Sequence, residues 1–158
     1  MLEPPTYFIT WTTYGSWLPG DSRGWRKTKA GEQPPQLLLE AWCRDRMTEE
    51  PVLLNDDQRE KVEEVCHRHA EIRGWTLHAV GARSNHVHVA VTADAEPKKV
   101  RDQFKANSTR VLRLPPAALE KEKIWTKGGD VEIIDGEDSL EQVVQYITEA
   151  QDRMERGK

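Results

Sequence analysis

The chain has only two cysteines in 158 residues, Cys43 and Cys66, far apart and with no Cys-x-x-Cys pair. That scarcity excludes a thiolate zinc cluster and points to reduced thiols in a cytoplasmic protein. Long apolar runs are missing too: none approaches the ~20 residues that a membrane helix needs, and Met1-Leu2-Glu3-Pro4-Pro5 does not read as a signal sequence, so a soluble protein is expected. Net positive charge is absent. At −4 the chain is a poor candidate for coating nucleic acid nonspecifically. The glycines never take the spacing of a nucleotide-binding motif, which leaves Gly128-Gly129 as a loop rather than a phosphate cradle. A hydrophobic fraction of 37% with nine prolines suits a single domain, residues 1–158, around one core.

The charge that is present is unevenly placed. Lys98, Lys99, Arg101, Lys105, Arg110 and Arg113 face a single acid, Asp102, between residues 98 and 113, whereas residues 130–158 hold nine acids and three bases. A locally basic helix on an acidic protein can still meet phosphates, although it also fits a solvated helix face. Trp17 and Trp25 flank a loop with Arg23, Arg26 and Lys27, an arrangement suited to stacking unpaired bases while meeting backbone phosphates. Trp11 and Trp75 fall in predicted strands and suit packing.

Elements alternate along the chain. Residues 6–14 are rich in β-branched and aromatic side chains and predict a strand; residues 20–36 carry glycine, proline and basic residues with little periodicity and predict a surface loop. A short helix over 37–47 is expected to turn Leu38, Trp42 and Met47 inward. Asn55 or Asp56 caps a longer helix, with Val62, Val65, Cys66 and His69 at helical spacing, ending at Gly74. Residues 75–82 and 86–92 predict a hairpin around Arg83-Ser84-Asn85. Pro97 starts a helix to about Leu114 with Val100, Phe104, Ser108, Val111 and Leu112 as its buried stripe. A brief strand over 131–134 and a terminal helix to about Glu155 complete the chain. His67 and His69 are two apart on a helix, do not face one another, and suit a surface or helix-end role.

The most informative stretch is Asn85-His86-Val87-His88-Val89-Ala90-Val91. A strand sends alternate side chains to opposite faces, so the valines share the core face and His86 and His88 stand together on the other, pointing out of one surface and spaced to grip one divalent metal. Asn85 suits orienting His86 or a phosphate, and suits the hairpin turn equally. On the last helix Leu140, Val143, Val144, Ile147 and Met154 form the apolar stripe, and at ~100° per residue Tyr146 falls at its margin. A tyrosine hydroxyl is a poor nucleophile toward an anionic phosphodiester, and a cation held by two imidazoles would relieve that repulsion.

At these residues the chain resembles the single-tyrosine HUH transposases, and within them the REP-associated tyrosine transposases and IS200-like insertion-sequence enzymes. The resemblance rests on Asn85-His86-Val87-His88-Val89, the next helix with Lys105 and Thr109, Ile124-Trp125-x-Lys127-Gly128-Gly129, and Tyr146-Ile147, taken in that order. The Thr10–Asp21 start is similar to bacterial members. It covers most of the chain and leaves about 22–50 as a variable insertion.

The resemblance implies an α+β, ferredoxin-like sandwich with a central antiparallel sheet, and metal-dependent cleavage and rejoining of single-stranded DNA beside a hairpin or imperfect palindrome. His86 and His88 would bind Mg²⁺ or Mn²⁺. Tyr146 would take the 5′ phosphate as a covalent adduct and free a 3′ hydroxyl. Lys98, Lys99, Arg101, Lys105, Arg110, Lys127, Trp17, Arg23 and Asn85 are the candidate DNA contacts. A cytoplasmic, nucleoid-associated protein is expected, acting as a monomer or as a homodimer that exchanges tyrosine helices. Relatives commonly place a third metal-ligating or metal-orienting polar residue four positions after the tyrosine, where this chain has Ala150. Glu149, ~60° around the helix from Tyr146, is the expected third ligand, with Gln151 second. The Ala150 departure and the acidic balance also motivate a second reading, a domesticated hairpin-binding protein that no longer cuts. A metal-free cyclic phosphodiesterase would need two His-x-Thr/Ser elements, and the chain has no such element.

Overall fold

The valine–histidine alternation forms an interior strand of a four-stranded antiparallel sheet. The computed structural model describes residues 3–16, 25–27, 31–47 and 50–149. In chain order the elements are β1 (Thr6–Thr12), β2 (Trp25–Lys27), β3 (Gly31–Gln33), α1 (Leu37–Asp45), α2 (Asp56–Arg73), β4 (Thr76–Ala82), β5 (His86–Thr92), α3 (Pro97–Arg113), β6 (Asp130–Ile134) and α4 (Glu137–Glu149). The main sheet runs β4-β5-β1-β6. With α2 between β1 and β4 and α3 between β5 and β6, this is the expected ferredoxin-like topology. The register sets Val87, Val89 and Val91 opposite Trp11, Ile9 and Tyr7, and sets His86, His88 and Ala90 opposite Thr12, Thr10 and Phe8.

Local chemistry explains both ends of α2. The Asn55 side chain accepts from Gln58 N while Gln58 Oε1 accepts from Asn55 N, each at 2.9 Å, a complete capping box at the start of α2. Gly74 ends that helix at φ +73°, a left-handed conformation that a side chain would strain. α2 and α3 cover the valine face, burying Val62, Cys66, Ala70, Val100, Phe104 and Leu112 with Ile9 and Trp11. Each valine, leucine, isoleucine or phenylalanine among them contributes roughly 1.5–3 kcal/mol when withdrawn from water. Burial also pushes the Cys66 thiol up to about 12, so it serves as packing rather than as a nucleophile.

α4 covers the opposite face. Ile147 packs on Ala79 and Ala90, flanked by Phe8, Ile134, Leu140, Val143 and Val144. This corrects the expectation that the histidines point out to solvent: both are only 6% exposed.

Three other expectations change. His69 is buried between α2 and α3, where Nε2 meets Gln103 Oε1 at 2.8 Å and Asn107 Nδ2 donates to Nδ1 at 3.3 Å. Residues 25–33, read as loop, contain the small antiparallel ribbon of β2 and β3. On α1, Leu38 and Trp42 are 89% and 53% exposed instead of facing inward. Both faces of the sheet are already covered by α2, α3 and α4, and α1 buries none of its residues.

Candidate active site

Strand pairing assembles the site. His86 and His88, neighbours on one face of β5, stack edge to face with ring centroids 4.5 Å apart. Asn85 Oδ1, itself only an acceptor, lies 2.6 Å from His86 Nδ1, so that ring nitrogen carries a proton. His88 Nδ1 lies 2.8 Å from Thr10 Oγ1 on the adjacent strand. Each ring is thus gripped by Nδ1, the pattern by which a protein orients imidazoles for a metal.

α4 brings Tyr146 to the pair. Its ring centroid lies 5.3 Å from that of His88 and 6.2 Å from Phe8, and the residue is 42% exposed. The helix comes this near because Gly81, opposite His88 on β4, has no side chain: a Cβ there would stand 2.9 Å from the Ile147 carbonyl oxygen. A partly open phenol therefore lies beside two oriented, buried imidazoles. A phenol so placed could act as a nucleophile, and two imidazoles so placed could hold a cation.

Residues 46–150 match the family model described as "Transposase IS200 like". The chain belongs to that family. Two solved structures share its fold. One is the REP-associated tyrosine transposase bound to a REP hairpin, with 15% identity, TM-score 0.52, 92% of this chain covered and 66% of that one. The other is a Deinococcus radiodurans protein assigned as a transposase, with 14% identity, TM-score 0.57 and coverage of 96% and 95%. The chain thus spans just under two thirds of the length of the hairpin-bound structure. No curated protein matches it in sequence.

In this IS200-like transposase chain the other expected site residues are scattered. The Glu149 side chain is exposed and accepts from Gln145 Nε2 at 3.3 Å, and among the described residues no third His, Cys, Asp or Glu joins a metal-binding cluster. Gln151, Trp17 and Arg23 lie outside the described residues, as does the Trp25 side chain. Asn85 is 1% exposed and turned to His86, inaccessible to a phosphate in this conformation. Lys98, Lys99 and Arg110 are exposed on α3, and so is Lys127 beyond it. α3 packs on the valine face, so its basic residues and Tyr146 belong to opposite sides of the sheet.

Two of the expected phosphate contacts instead hold a loop. Lys105 Nζ donates to Thr126 O and Gly128 O at 2.9 and 2.8 Å, and Arg101 Nη1 donates to Gly129 O at 3.3 Å. Burial, with Arg101 nearby, holds the Lys105 ammonium below the usual lysine value, against the opposing pull of Asp102. Gly129, at φ +141°, presses on Thr10 O, with 2.7 Å left for an absent Cβ. Trp125 Nε1 donates to Thr109 Oγ1 at 3.0 Å, which seats the start of the same segment.

Sequence reasoning missed Thr10, Phe8 and Gly81. The first two share the histidine face by simple alternation along β1, a signal available once β1 is paired with β5. The need for glycine at position 81 appears only with α4 in place.

Proposed function

We propose that the chain cuts and rejoins single-stranded DNA beside a hairpin through a 5′-phosphotyrosine on Tyr146. The observation that carries this reading is the placement of the half-open Tyr146 ring beside His88, inside the same chain. Tyr146 Oη would attack the scissile phosphorus. The new Oη–P bond forms as the P–O3′ bond breaks, and the 3′ oxygen leaves as a hydroxyl with the proton that the phenol gives up. Reversal restores the diester without external energy, since one phosphodiester has replaced another.

His86 and His88 fit a divalent ion such as Mg²⁺ or Mn²⁺ as two fixed nitrogen donors, with Asn85 and Thr10 orienting them. When bound, the ion would supply charge neutralisation at the phosphate oxygens. Glu149 is not included in the donor set, because its side chain is turned to Gln145. A DNA strand reaching both Tyr146 and the exposed Lys98, Lys99 and Lys127 would pass round the sheet. The hairpin held by the REP-associated relative supports a hairpin as the element recognised.

The absence of a third carboxylate or imidazole among the described residues favours one other reading, a hairpin-binding protein that has lost cleavage. Both are tested by incubating the chain with end-labelled single-stranded hairpins and Mg²⁺ or Mn²⁺, then resolving products on a denaturing gel. A covalent adduct that disappears in Tyr146→Phe is the expected result. An adduct that survives Tyr146→Phe overturns the assignment of the nucleophile. Tight hairpin binding without adduct establishes the binding protein.

A further inference from the structure

We infer that Arg83 is a positioning residue for Tyr146, holding the tyrosine helix against the histidine strand. The inference rests on the reading of Tyr146 as nucleophile. Arg83 opens the Arg83-Ser84-Asn85 turn that leads into His86. Its Nη2 donates to the Ile147 carbonyl oxygen at 2.6 Å, and Ile147 directly follows Tyr146. Arg83 Nε is also buried, with no hydrogen-bond partner among the described residues. The guanidinium is therefore substantially desolvated, where a charge-assisted bond to a carbonyl is strong.

The anchor is rigid because the turn is tied from the opposite side. Arg59 Nε donates to Ala82 O and Ala82 N donates to Glu63 Oε2, each at 2.9 Å. Leu54 N donates to Ser84 O at 2.8 Å, and Arg83 N donates to His86 O at 2.7 Å. α2 thus fixes the turn, and the turn reaches through Arg83 to α4.

Tyr146 needs such a device. It makes ring contacts with His88 and Phe8, and no hydrogen bond fixes its hydroxyl among the described residues. Its location is inherited from the α4 backbone, which lies at the limit of approach above Gly81. α4 packs through the smaller of the two apolar clusters, apart from the main core of α2, α3 and the valines. Loosening it therefore leaves the rest of the fold standing. A misplacement of about 1 Å at a reacting group costs on the order of 10²-fold in rate.

The test uses the full chain with Arg83→Met, which keeps the length but removes the donors, and Arg83→Lys, which keeps a charged donor. Three quantities are read: hairpin affinity by fluorescence anisotropy, single-turnover adduct rate at saturating hairpin, and amide exchange over residues 143–149. Arg83→Met is expected to lower the adduct rate about 10²-fold, to leave hairpin affinity within about threefold, and to speed exchange in that segment. Arg83→Lys is expected to recover part of both losses. A wild-type adduct rate in Arg83→Met, or a loss explained wholly by weaker hairpin binding, overturns the inference. If the wild-type chain forms no adduct on any hairpin, the nucleophile reading fails, and unchanged exchange in both variants then separately overturns the positioning role.

Discussion

Asn85 Oδ1 accepts from His86 Nδ1 at 2.6 Å, with both side chains buried. One contact thereby sets the tautomer and the rotation of the imidazole. The backbone of Asn85 has a separate task, since its carbonyl accepts from Thr13 N at 2.9 Å. Substitution to alanine removes the first role and spares the second. Asn85→Ala is expected to weaken Mn²⁺ affinity about 10–100-fold, measured by titration calorimetry. Unchanged affinity would show that His86 is not held for an ion.

Lys105 and the exposed cations are expected to behave differently toward salt. Lys105 is committed to two carbonyls, so Lys105→Met is expected to lower folding stability by about 1–3 kcal/mol in denaturant titrations. Its dependence of hairpin affinity on salt should match that of the wild type. Lys127→Ala, at an exposed position, is expected to leave stability alone and reduce the slope of log K against log salt by about 0.7. A changed slope in Lys105→Met would return that residue to the phosphate contacts.

His78 lies in the β4 bulge between Leu77 and Ala79, its Nε2 2.7 Å from Thr92 Oγ1. Burial holds its pKa below the ordinary 6.5. The unfolded chain therefore binds the proton more readily, and stability falls as pH drops through 6.5 toward the folded value. His78→Gln is expected to flatten the decline in thermal midpoint between about pH 7 and about pH 5, read by calorimetry. A decline as steep as that of the wild type would assign the acid sensitivity to other groups.

The legible parts of this chain are those whose physics is local. The capping box at Asn55, the stop at Gly74 and the two faces of β5 follow from residues within a few positions of one another. What each cation meets is not local. Lys105 and Arg101 read as phosphate ligands until the chain returns at residues 126–129 to take their hydrogen bonds. α1 has an apolar period, but sequence periodicity does not say whether a surface remains for it to cover. Helical angles likewise tell which residues share a side of α4 but not what each side chain meets, and the Glu149 carboxylate meets Gln145. Tyr146 was recognisable by its place in the family order. Its distance from His88 depends on Gly81, two strands of sequence away from the helix it admits.

The two faces of β5 have a practical meaning for anyone altering this protein. Valine positions touch the main core, and the positions between them touch Thr10, Tyr146 and the smaller α4 cluster. Neighbouring substitutions along a single strand thus report on different properties. The main core and the proposed site can be altered through separate sets of residues that interleave along one strand.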